Sequence, residues 1–114
     1  MAFDVRYSEE AVADFQSILI FLADSYEAFG EPPEDAFERA VIRTRTLRST
    51  ISEALSKAPH RGTLAEHLLP NLRHTTIDRA VIYFDVHEVT LTVHILAVFY
   101  GGQDHQSHML RRLL

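Results

Sequence analysis

Residues 72–100 read LRHTTIDRAVIYFDVHEVTLTVHILAVFY, and this stretch decides the fold. Three runs, Leu72–Ile77, Ala80–Val86 and Val89–Tyr100, are rich in the Val, Ile, Thr, Phe and Tyr that suit a pleated, half-buried surface. Only Asp78-Arg79 and His87-Glu88 separate them, and breaks that short join antiparallel neighbours. In the last run, alternation places Val89, Leu91, Val93, Ile95, Ala97 and Phe99 on one face. The other face opens polar, with Thr90, Thr92 and His94, then turns apolar with Leu96, Val98 and Tyr100. A sheet packed on helices from one side should not leave that second patch bare. Either the tail Asp104–Leu114 or another chain is expected to cover it.

Upstream, a first strand, Phe3–Tyr7, alternates apolar and polar residues. Ser8 offers an N-cap oxygen, and Glu9 and Glu10 follow in the first turn, where the helix dipole favours negative charge. Val12, Phe15, Leu19, Leu22 and Tyr26, widened by Ile18 and Phe21, recur every three or four residues and form one buried stripe. Gly30 is expected to end this helix, and Pro32-Pro33 with Glu34-Asp35 to open the next. The second helix carries Phe37, Ala40, Val41, Thr44, Leu47, Ile51 and Leu55 on one side and is ended by Pro59-His60-Arg61-Gly62. Two long amphipathic helices with a short connection form a helical hairpin.

The 114 residues and 13.0 kDa fit one domain, residues 1–114, and 46% hydrophobic with 24% charged residues are ordinary for a globular protein. No apolar run reaches the roughly 18 residues of a membrane span, and the start lacks the basic and apolar regions of a signal peptide. A cytoplasmic protein without membrane attachment is expected. With zero cysteines there are neither disulfides nor a thiol nucleophile. The net charge of −5 hides an asymmetry: residues 1–38 hold ten acids and one base, residues 39–114 ten bases and six acids. Such a chain can present a modest basic face while staying acidic overall.

Four segments carry a resemblance: Tyr7-Ser8-Glu9-Glu10-Ala11, Pro59-His60-Arg61-Gly62, Ala80-Val81-Ile82-Tyr83, and Leu96-Ala97-Val98-Phe99-Tyr100-Gly101-Gly102-Gln103-Asp104-His105. In this order, over nearly the whole chain, they resemble the RelE/ParE family of bacterial toxins. These are the toxin halves of type II toxin–antitoxin modules, often called plasmid stabilisation proteins. The resemblance implies an α+β fold of order β-α-α-β-β-β, with an antiparallel sheet curved around the two-helix hairpin and a short C-terminal tail or helix. It implies a cognate antitoxin as partner and no cofactor.

The family has two activities. RelE-like members cut mRNA in the ribosome without metal, using basic residues and often a tyrosine on the sheet; ParE-like members poison DNA gyrase by binding it. A metal-free RNase needs a base, cations and an acid within hydrogen-bond reach of the scissile phosphate. Here Arg73 matches one basic position, but the arginine before the Val-Ile-Tyr run falls on Ala80, with Arg79 one residue early and therefore on the opposite face. The arginine after the last strand falls on Gln103, and the following tyrosine on Ser107. The pattern favours a ParE-like gyrase inhibitor that is not an enzyme. The alternative is a ribosome-dependent endoribonuclease in which Arg73, Tyr83 and His94, with Asp85, share the face away from the helices. A third reading is a degenerate member that binds its antitoxin and harms nothing.

The antitoxin is expected to lay an apolar segment over the hairpin or the strand edge and bury Leu96, Val98 and Tyr100. In the tail, His105, His108, Arg111 and Arg112 accompany Met109, Leu110, Leu113 and Leu114, giving either a segment that contacts gyrase or a helix docked on the sheet. His105 and His108 would share a helical face beside Asp104, but no third ligand converges and no metal site is expected. Arg39, Arg43, Arg45, Arg48 and Arg61 could form a basic strip for an acidic antitoxin segment or nucleic acid, or a solvated face paired with Asp35 and Glu38.

Overall fold

The computed structural model describes residues 2–102 and 104–114, and in it Ser8 caps the first helix, its Oγ accepting from the Ala11 amide at 3.0 Å. The elements are β1 (Asp4–Tyr7), α1 (Glu9–Ala28), α2 (Pro33–Lys57), β2 (Thr63–Leu64), β3 (Arg73–Ile77), β4 (Ala80–His87), β5 (Thr92–Tyr100) and α3 (His105–Leu113). A proline opens α2, where its missing N–H costs nothing. The order and the helical hairpin are those expected. The sheet runs β1-β5-β4-β3-β2, with the short β2 as an added edge.

The sheet is mixed rather than wholly antiparallel, because β1 lies parallel to β5, with Tyr7 opposite Ile95. The hairpin is the crossover that makes this possible. Its far end returns to β1, where the Phe3 amide donates to the Ser56 carbonyl at 3.0 Å and Ser56 Oγ donates to the Phe3 carbonyl at 2.7 Å.

Two turns set the registers. Asp78 and Arg79 both have positive φ, 48° and 69°, the conformation of a tight two-residue hairpin turn, so Ile77 pairs with Ala80 and His74 with Tyr83. The second turn is longer than the sequence implies. His87 pairs with Thr92, Leu91 takes φ 51°, and Val89 is 98% exposed, so β5 starts three residues later than expected.

An irregularity in β5 changes its faces. Tyr83 pairs with Ala97 but Phe84 pairs with Ile95, so Leu96 is an extra residue in a β-bulge. Simple alternation therefore fails at Leu96. Val93, Ile95, Val98 and Tyr100 face the hairpin and join the core of Phe15, Ile18, Leu22, Leu47, Ile51 and Leu55. Ala97 and Phe99 face the other way with Tyr83.

That far face is covered by the chain itself. Met109 of α3, fully buried, packs there together with Ala65 and Leu72 from the segment before β3. On α1 the buried stripe runs through Ala11, Asp14, Phe15, Ile18 and Leu22, which leaves Val12 and Phe21, and likewise Phe37 on α2, exposed.

Candidate functional site

The bulge decides the fate of the residues expected to bind the antitoxin. Val98 and Tyr100 are 2% and 8% exposed and belong to the core beneath the hairpin, while Leu96 packs with the far-face cluster. The second apolar patch expected from alternation is thus divided between two buried surfaces. The extra residue turns half of β5 inward, and α3 covers what remains.

A partly buried ion pair holds α3 in place. β1 ends opposite Ile95, so beyond that point the outer edge of β5 has no strand partner. Asp14 Oδ2 accepts from the Val98 amide at 2.8 Å, and Arg112 Nη1 donates to the Leu96 carbonyl at 3.1 Å. Both Arg112 Nη atoms donate to the two Asp14 oxygens at 2.8 Å, a bidentate fork, and Nε lies 3.3 Å from Glu10. The guanidinium also sits 5.1 Å from the Phe99 ring centre. A sheet edge that would otherwise be left unpaired is closed by one carboxylate and one guanidinium.

Of the tail residues singled out in the sequence, Arg112 is therefore spent inside the molecule. His105 Nδ1 shares a hydrogen bond of 2.7 Å with the Tyr83 hydroxyl, and His108 stacks 5.6 Å from Phe99 while its Nδ1 meets Arg111 Nη2 at 3.1 Å. Asp104 caps α3, accepting from the Ser107 amide and hydroxyl, which holds its carboxyl below the usual range. Arg111, Leu110 and Leu113 point outward.

The proposed nuclease set does not converge. Register pairs Arg73 with Phe84, a hairpin-facing residue, so Arg73 lies on the face opposite Tyr83, and its Nη1 donates to the His60 carbonyl at 3.0 Å. Tyr83 is fully buried. His94 is exposed beside His87, ring centres 4.4 Å apart, and His87 Nε2 lies 2.9 Å from Asp85. Gln103, where the family arginine would fall, lies outside the described residues.

The structure instead places His74 against Tyr83, with ring centres 5.3 Å apart, and His105 5.6 Å from His74. Burial lowers the pKa of His74, helped by the neighbouring imidazoles of His105 and His67, so it favours the neutral form. Burial, and then the Asp104 charge, raise that of the Tyr83 phenol. A phenol and the neutral imidazole of His74 can exchange a proton but supply no fixed positive charge. Among the described residues, no three histidine or carboxylate side chains are placed to hold a metal ion. Among them too, no helix is long and apolar enough to cross a membrane.

No family model matches the chain, and no curated protein matches it either. Solved structures do. The chain is similar to one from the chromosomal ParDE toxin–antitoxin system of P. aeruginosa, at TM-score 0.60 and 17% identity over 87% of this chain and 96% of that one. It is also similar to a chain of the RelBE2 toxin–antitoxin complex from Mycobacterium tuberculosis, at TM-score 0.53 and 17% identity over 89% and 100%. The isolated E. coli RelE toxin aligns at TM-score 0.53 and 13% identity over 99% and 100%. The chain has the RelE/ParE toxin fold.

Proposed function

We propose that this chain is the toxin of a toxin–antitoxin pair and acts as ParE-like proteins do, by binding DNA gyrase rather than by cutting RNA. The likeness to toxin chains supports the toxin half of this reading. One observation carries the choice of activity: Tyr83 is sealed beneath α3, and Arg73 stands on the other side of the sheet. Phosphoryl transfer without metal depends on cations placed where charge develops, and the side chain that bonds this phenol is an imidazole, not an arginine or lysine. The outward residues Leu110, Arg111 and Leu113 of α3 are the proposed gyrase contact, in place of the inward His105 and Arg112.

Inducing the chain alone tests the assignment. Growth arrest with a DNA-damage response, altered supercoiling and intact transcripts is expected, and translated mRNA cut within its reading frames overturns it. The nuclease reading keeps one specific support, the hydrogen bond between Tyr83 and His105 beside His74. It predicts that cleavage is lost in His74→Ala and kept in Arg73→Ala. A chain that leaves growth unchanged would be a member that binds its antitoxin without toxicity.

A further inference from the structure

Where the tip of the hairpin meets the ends of β3–β5, a cleft of about 900 Å³ opens between α1, α2, the sheet and His105 at the start of α3. Its walls are aromatic. Phe21 and Phe29, 50% and 91% exposed, stand on α1 and its C-terminal cap, and Tyr100 meets Phe21 edge to face at 6.1 Å. Gly101, at φ 79°, lets the chain leave β5 close to the Phe21 ring. The volume lies at the upper end of what ligand-binding clefts enclose, and exposed aromatics around such a space mark a binding surface.

The rim is cationic although the molecule as a whole is acidic. Arg39 and Arg43, one helical turn apart on α2, reach the cleft with Arg79 from the β3–β4 turn. Arg39 lies 4.1 Å above the Tyr26 ring and pairs with Glu31. Arg43 is only loosely paired, 3.9 Å from Asp78, and Arg79 has no ion pair among the described residues. Three guanidinium groups thus face two carboxylates. The basic strip read from the sequence is divided by the fold: Arg48 leaves it to stack on Tyr7 at 4.6 Å, and Arg45 lies over a separate depression lined by Ile42 and Glu53.

We infer that this cleft docks an acidic peptide segment with one large apolar or aromatic side chain between Phe21 and Phe29 and carboxylates on Arg43 and Arg79. On the toxin reading, on which its biological identity rests, that segment belongs to the antitoxin. Charge complementarity selects the acids and the aromatic walls select the anchor. The predominance of apolar wall over cations, in a chain of net charge −5, favours a peptide over nucleic acid.

Selection from a displayed random-peptide library on the purified full chain, followed by amide-shift mapping with the selected peptide, tests this. Peptides with a large apolar residue flanked by Asp or Glu, shifting Phe21, Phe29 and Tyr100, are expected. Binding should weaken at least tenfold in the Arg43→Glu/Arg79→Glu double variant and return when the peptide's acids become lysines. Phe29→Ser, at an exposed position, should also cost at least tenfold without altering the fold. Peptides without acids, shifts located elsewhere, or unchanged binding in these variants overturn the inference. So does an eight-residue oligouridylate that shifts the cleft where peptides do not. If the chain arrests growth and its antitoxin still neutralises both variants fully, the cleft assignment fails and the toxin reading stands. Acidic peptides filling the cleft of a chain that arrests nothing would leave the docking chemistry and remove the toxin reading.

Discussion

The two faces of the sheet are closed by different kinds of chemistry. Beneath the hairpin, Leu47, Ile51 and Leu55 meet Ile82, Phe84, Val93 and Ile95 in a core without titratable partners at its centre. On the opposite face one short helix lies over Tyr83 and Phe99, fastened by Met109, by the Asp14–Arg112 pair and by histidines. Hydrophobic burial on the first face involves no charge that protonation removes or that counter-ions screen. The second closure depends on charge and protonation, so it is the face that can open while the rest stays folded.

The contrast is sharpest for core truncation. Ile51→Ala, at a fully buried site, should cost about 3–4 kcal/mol in denaturant unfolding and lower the protection of every slow-exchanging amide together. Arg112→Ala should cost less, about 2 kcal/mol given that both partners keep some solvent contact, because it leaves Asp14 without its counter-charge. Hydrogen exchange should then accelerate in α3 and leave α1 and α2 protected; uniform acceleration would mean the two faces open as one. Replacing both partners by apolar residues, Asp14→Leu with Arg112→Met, should recover little of the loss, because the Val98 amide and the Leu96 carbonyl then lose their partners as well.

Smaller effects refine the second face. Tyr83→Phe removes the hydroxyl bonded to His105 and should cost about 1 kcal/mol, read as a shift of the urea midpoint at constant slope. Protonation gives the gentlest handle. With the His74 pKa lowered in the fold, the unfolded chain binds more protons below the ordinary histidine value of about 6.5, so stability is complete above that pH and falls as pH drops below it. His74→Gln should flatten that part of the pH–stability profile, and an unchanged profile would show that this imidazole is not the group responsible.

Most of the first face could be read from the sequence, because helix period, the Ser8 cap and the prolines all agree there. The second face could be read only in part. The bulge at Leu96 escapes detection since residues 95–100 are apolar on both sides, and alternation carries no information where every position is greasy. His74 was within reach: a two-residue turn at Asp78-Arg79 pairs residue 77 with 80, and counting back sets His74, not Arg73, beside Tyr83. Asp14 also left a trace, as a carboxylate among Ala11, Phe15 and Ile18 on the buried arc must find a partner. The partner itself, 98 residues away, leaves no local sign. Likewise the cleft needs Phe29, Arg43 and Arg79 brought together from three elements.

That separation has a consequence for synthesis. In a newly made chain the Asp14–Arg112 pair must join residues 98 apart, and a closure that distant follows the more local pairing of the hairpin and the β3–β5 meander. A polypeptide that meets the chain before that closure finds Tyr83 and Phe99 as an open platform, ahead of the intramolecular roof.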